Sequence, residues 1–276
     1  MEPLKPVMVA PLFSEIHKEL LSLLKSLSVE DWQKPTVCSG WSVKDVALHI
    51  LGVEIGNLSG RRDGFTTHAS MASWDELVAF INHWNESWVI TARRISSRLL
   101  MDLLDITGNQ MCDYFKELNP FSIGGQVNWV GPEPAPVWLD LAREYTERWH
   151  HQQHLRDAVD KPGLKQAQYL TPVLETFIRA LPRTYLTTNA EENSSVTVSI
   201  WGESAGCWTI LRENRAWNLY QGAPDNPTAE VSMDQDIAWR LFTRGIDPDR
   251  AIKKLIFKGD KSLGLKVLDM VSIIAS

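Results

Sequence analysis

The chain has 276 residues, 44% of them hydrophobic and 22% charged, a balance that suits a globular protein with room for two cores. Its formal charge of -6 argues against a phosphate-backbone binder, because displacing counterions from nucleic acid needs a net basic face. Glu2, Lys5, Glu15 and Lys18 interrupt the N-terminal apolar residues, and no stretch offers the roughly 18 apolar residues of a membrane span, so a cytoplasmic protein without nucleic-acid or membrane partners is expected.

Leu20, Leu23, Leu24 and Leu27 recur at helical spacing among polar residues and predict an amphipathic helix over 11–28. EDWQKPTVCSGW, with Pro35 and Gly40, reads as a connection. Ser42, with Asp45 three residues on, starts a second helix that runs to about residue 59, since a short oxygen side chain satisfies the first free N–H groups. Ser73 and Glu76 repeat that signal before a helix in which Leu77, Phe80, Ile81, Trp84 and Trp88 keep the period. A further helix is predicted over 99–118. Residues 119–136, rich in Gly and Pro, read as a long loop of the length that invites a functional role. The segment from Val137 forms a helix of about 24 residues, stopped by Lys161, Pro162 and Gly163, and another helix covers 167–181.

The polar stretch 187–195 marks a change of period from helical to two. Val196, Val198 and Ile200 alternate with polar residues, and GCWTILRE and AWNLYQG form a hairpin pair around Asn214. AEVSMDQDIAWRLFTRG passes from strand to helix, and the C-terminal run gives a strand, a Gly-Asp turn and a helix. The expected organisation is a helical bundle over residues 1–185 and a smaller α+β domain over residues 190–276. Twelve Trp, eight of them before residue 185, point to an aromatic core or pocket in the first domain.

Cys38, Cys112 and Cys207 are odd in number and far apart, which fits neither a disulfide framework nor a thiolate zinc site. Cys38 lies four residues before the Ser42 cap, where a helix N-terminus can stabilise a thiolate; packing is the preferred reading, because no base stands nearby in the sequence. The densest chemistry is ERWHHQQH, residues 147–154. Glu147, His151 and His154 share one helix face, and His150 and His154 form a second pair one turn apart. A third ligand from elsewhere would complete a site, and His49 is the candidate, a bare imidazole among Val46, Leu48, Ile50 and Val53. Nitrogen and carboxylate donors suit zinc or a similar divalent ion and leave a position open. The competing account makes His49 a hydrogen-bonded core histidine and 147–154 a solvated, ion-paired face. His17, His68 and His83 have no ligand-like company.

LSVEDWQKPTVCSGWSVKDVALHILG is similar to the signature of the mycothiol-dependent maleylpyruvate isomerase family, a branch of the DinB-like superfamily, which reads approximately L..W..PT.C.GW.V.D...H..G. The resemblance places His49 on the family's first metal ligand. ERWHHQQHLR resembles the second family motif, a glutamate followed four residues later by histidine, and assigns Glu147 and His151 as the other ligands. His154 stands where the family often has Asp, so it orients His151, contacts substrate or joins the metal. The C-terminal part, ending FKGDKSLGLKVLDMVSII, resembles a sterol-carrier-like domain. The implied fold is therefore a DinB-like four-helix bundle followed by a sterol-carrier-like α+β domain.

The resemblance further implies a divalent metal, zinc by donor chemistry, and a low-molecular-weight thiol such as mycothiol as co-substrate of an isomerase or thiol transferase acting on a small molecule. A monomer or homodimer is expected. An anionic substrate needs a cation, for which Arg212, Arg215, Arg240 and Arg244 are candidates, and His154 and Arg212 are the expected catalytic pair. The alternatives are a non-catalytic metal-binding or stress-response protein and a carrier of a small apolar ligand in the C-terminal domain.

Overall fold

The computed structural model describes residues 1–65 and 73–273. His68 lies outside the described residues. The helices are α1 (Phe13–Lys25), α2 (Val43–Asn57), α3 (Trp74–Ala92), α4 (Ser97–Glu117), α5 (Val137–Val159), α6 (Ala167–Phe177), α7 (Leu181–Thr184), α8 (Gln235–Phe242), α9 (Pro248–Ala251) and α10 (Lys261–Leu265). The strands are β1 (Glu2–Pro3), β2 (Ile123–Gln126), β3 (Pro134–Pro136), β4 (Ser195–Trp201), β5 (Gly206–Glu213), β6 (Ala216–Gln221), β7 (Ala229–Asp234) and β8 (Ile256–Gly259). A helix-rich N-terminal region thus precedes a sheet region, as the change of period predicts. No helix among the described residues is long and apolar enough to cross a membrane.

Local chemistry sets the helix starts. Ser42 Oγ accepts from the Asp45 N–H while the Asp45 carboxylate accepts from the Ser42 N–H, a complete capping box that opens α2. Ser73 and Ser96 accept in the same way from Glu76 and Leu99. α5 ends at Asp160, whose φ of 55° breaks the helix, and Pro162 prevents it from resuming.

Contacts divide the chain into two compact units: Val9–Pro120 with Glu144–Leu164, and Met1–Met8 with Phe121–Arg143 and Lys165–Ile273. In the first, α1, α2, α4 and the second half of α5 share one core built on Leu20, Leu24, Val46, Leu48, Leu51, Leu100, Leu104, Leu155 and Val159. α3 contributes little to it. Val89 and Ala92 are its buried residues, and the periodic Trp84 is exposed.

In the second unit the sheet order is β1-β6-β5-β4-β7-β8, antiparallel except for the β4–β7 pair. Val196 lies opposite Ile210 and Ala229, and Val198 opposite Trp208 and Val231, so the alternation read from the sequence becomes one apolar face. Asn214 and Arg215, both with positive φ, make the β5–β6 turn. Two features depart from the sequence reading. The expected loop 119–136 contains the β2–β3 pair, an irregular ladder that accommodates two prolines. The N-terminal β1 joins β6 rather than the bundle.

Candidate metal centre

α2 is apolar on nearly every side, and His49 is carried into the core with 3% exposure. α5 is the only described element rich in buried polar residues: Arg148, His150, Gln152, Gln153, His154 and Arg156 are all buried. Such groups are stable inside only with partners. For the three residues singled out in the sequence, the partners are one another. His49 Nε2 lies 3.4 Å from Glu147 Oε1, His151 Nε2 lies 3.0 Å from the same oxygen, and the two imidazole centres are 4.5 Å apart.

The donors fit a divalent ion. Bonds of about 2.0–2.1 Å in a tetrahedral site put neighbouring ligand atoms about 3.3 Å apart, close to both separations. His49, Glu147 and His151 line a cavity of about 10 Å³, closed by Ile50, Val53 and Arg148, which is the space of one water-sized occupant. Two imidazoles and one carboxylate oxygen are a zinc-type set. Burial opposes the charge on Glu147, yet His151 and His49 overcome it and hold its carboxyl well below the usual range. Burial likewise works against the His151 cation, but the Glu147 charge and the Cys38 contact raise it to about 10. Burial, and then the nearby His151 charge, keep His49 below its ordinary value.

An interior ion pair braces this helix turn. Arg148 Nη1 donates to Glu54 Oε1 at 2.8 Å between α5 and α2, and Thr107 of α4 donates to the other Glu54 oxygen. Neither Glu54 nor Arg148 has a ligand-like signal in the sequence.

The remaining expected residues divide. His154 is brought to Cys38, with Nδ1 3.1 Å from Sγ. Cys38 packs against the bundle core, as the sequence reading prefers, and also meets a base, which stands 116 residues away in the chain where no local reading reaches. The connection that holds Cys38 closes on itself. Thr36 N–H donates to the Trp41 carbonyl, Val43 N–H to Lys34, and Gly40 takes a φ of 77° that only glycine adopts freely. Trp41 leaves this loop with its ring 5.2 Å from that of His49, and lines a cleft of about 420 Å³ with Lys44 and Arg93. Trp32 is core. His17 is buried and His83 exposed.

Arg212 lies on β5 in the other unit, its guanidinium 5.7 Å from the Trp217 ring centre. Arg240 is engaged by Asp236 and Trp239. Arg215 and Arg244 adopt positive φ, Arg215 in the β5–β6 turn.

The family described as "Mycothiol maleylpyruvate isomerase N-terminal domain" matches residues 13–156, which is more than half of the chain and spans His49, Glu147 and His151. No curated protein matches the sequence. Two solved structures are similar, one of the mycothiol-dependent maleylpyruvate isomerase and one of a histidine-to-alanine mutant of it. Each is 14% identical and covers 86% of both chains, with TM-scores of 0.49 and 0.44. By the match over residues 13–156, the chain belongs to the mycothiol maleylpyruvate isomerase family.

Proposed function

We propose that the protein is a metal-dependent enzyme that uses a low-molecular-weight thiol, of mycothiol type, to isomerise an activated double bond or transfer the thiol to a small molecule. The observation that carries this reading is the convergence of His49, Glu147 and His151 on one ion-sized cavity. Bound there, a divalent ion such as zinc would act as a Lewis acid that makes a thiol acidic at neutral pH.

His49 and His151 would each present Nε2, and Glu147 one oxygen, holding three positions and leaving the fourth for the thiol. Trp41 covers His49 on one side and forms a wall of the larger cleft, which has the size of a small-molecule site. Lys44 and Arg93 give that cleft two cations, although Arg93 is paired with Asp45. Arg212 remains a proposed contact for an anionic substrate. In an isomerisation the sulfur would bond to one alkene carbon while the π electrons move onto the conjugated carbonyl. Rotation about the resulting single bond, then expulsion of the same sulfur, gives the trans isomer and returns the thiol.

The test is turnover of maleylpyruvate by the zinc-loaded protein with mycothiol, bacillithiol and glutathione in turn. His49→Ala should bring activity to background and lower the retained metal by one equivalent per chain, with an unchanged far-ultraviolet circular dichroism spectrum. Full metal content and activity in that variant would refute the assignment.

A further inference from the structure

His151 serves two sets of donors. Its Nε2 faces Glu147, 3.0 Å away, and its Nδ1 is buried without a hydrogen-bond partner. A buried nitrogen left in that state lowers stability, so an occupant that uses it is favoured. Cys38 and His154 stand beside it. Cys38, His151 and His154 each offer a ligand atom within 4.8 Å of the other two, and Cys38 Sγ is already 3.1 Å from His154 Nδ1.

This second set differs chemically from the first. One sulfur and two imidazole nitrogens form a softer group than two nitrogens and a carboxylate, and such a group selects zinc or copper(I) over magnesium or calcium. Zinc bonds of about 2.3 Å to sulfur and 2.0–2.1 Å to nitrogen place S and N about 3.5 Å apart, so a small opening of the Cys38–His154 contact would admit the ion. The framework suits a ligand as well, since the 34–43 loop is closed by its own backbone hydrogen bonds and His154 sits one helical turn beyond His150 on α5.

We propose that Cys38, His154 and His151 Nδ1 form a second cation position, for a soft ion such as zinc, that shares the His151 imidazole with the His49/Glu147 position. Filling both positions takes the proton of the Cys38 thiol and every N–H proton that the His151 ring carries, since both of its nitrogens must then present a lone pair. The bland rival is that the Cys38 sulfur only accepts a hydrogen bond from a histidine and orients it. The two positions have just His151 in common, so each can be lost without the other.

Cobalt(II) titration of the metal-free, full-length protein separates these accounts, because a thiolate ligand adds a sulfur-to-cobalt absorption in the near ultraviolet. The expected result is two equivalents of cobalt, one with that absorption. Cys38→Ser should remove the absorption and one equivalent, and His49→Ala should remove one equivalent and keep the absorption. A single equivalent without the absorption, lost in His49→Ala, would overturn the second position and leave the first standing. A single equivalent with the absorption, unaffected by His49→Ala, would uphold the second and remove the first. Absorption that persists in Cys38→Ser would also overturn the proposal. As a check that needs no variant, zinc should slow alkylation of Cys38 by iodoacetamide at least tenfold, read by mass spectrometry; an unchanged rate counts against the site.

Discussion

At the scale of single residues, His17 shows how a buried imidazole differs from a ligand. It has 2% exposure, neither ring nitrogen has a partner, and the ring fits only because residue 108 is glycine: a Cβ there would lie 2.0 Å from the His17 ring. Burial above all, then the Arg148 charge, lower its pKa from 6.5 to about 4 against the opposing pull of Asp105. The unfolded chain therefore binds the extra proton between pH 6.5 and 4. Stability that is complete above pH 6.5 should fall as pH drops through this window, by about 3.5 kcal/mol at most at about 1.4 kcal/mol per unit. Urea denaturation at pH 7 and 4.5 measures this, and His17→Leu should flatten the difference; an equal slope in the variant would contradict the account. His17 lies on an amphipathic helix and His49 on an apolar one, and both are buried. What separates them is the company that other helices bring.

At the scale of elements, α2 and α5 are joined by the Glu54–Arg148 pair as well as by the candidate site. Burial raises the Glu54 pKa, and Arg148 and Thr107 counter it. Removing one partner leaves a buried charge alone, so Glu54→Ala should destabilise the protein by about 3–5 kcal/mol. Replacing both, as Glu54→Leu with Arg148→Met, should recover most of that loss, since the desolvation of two charges is relieved together. Urea midpoints of the three proteins decide it. A double variant as weak as the single one would show that the pair does more than neutralise itself. Helix existence and caps were legible here because they depend on residues three or four apart: Ser42 with Asp45, Ser73 with Glu76. The period of α3 was also legible, yet Trp84 is exposed, because periodicity states which residues share a face and not what covers that face.

For the whole molecule, His49, Glu147 and His151 all belong to the unit made of Val9–Pro120 and Glu144–Leu164. An ion bound to the native state alone stabilises it by about 2.7 kcal/mol at a hundred times its dissociation constant. Hydrogen exchange with and without zinc should therefore show added protection centred on α2 and the second half of α5. Protection gained evenly along the chain, β4–β7 included, would show instead that both units unfold as one. The sequence by itself determined the helix-rich first part, the α+β pattern after residue 195 and the placing of Glu147 and His151 on one helix turn, because helix caps, period-two alternation and a Glu-x-x-x-His turn are short-range features of a covalent chain. Only the tertiary structure decided that His154 meets Cys38, that Glu54 meets Arg148 and that Glu2–Pro3 joins the sheet. Those pairings join residues 94 to 116 positions apart for the side chains, and 217 for the Pro3–Tyr220 strand pair, and no local pattern encodes which distant polar group will satisfy a buried one.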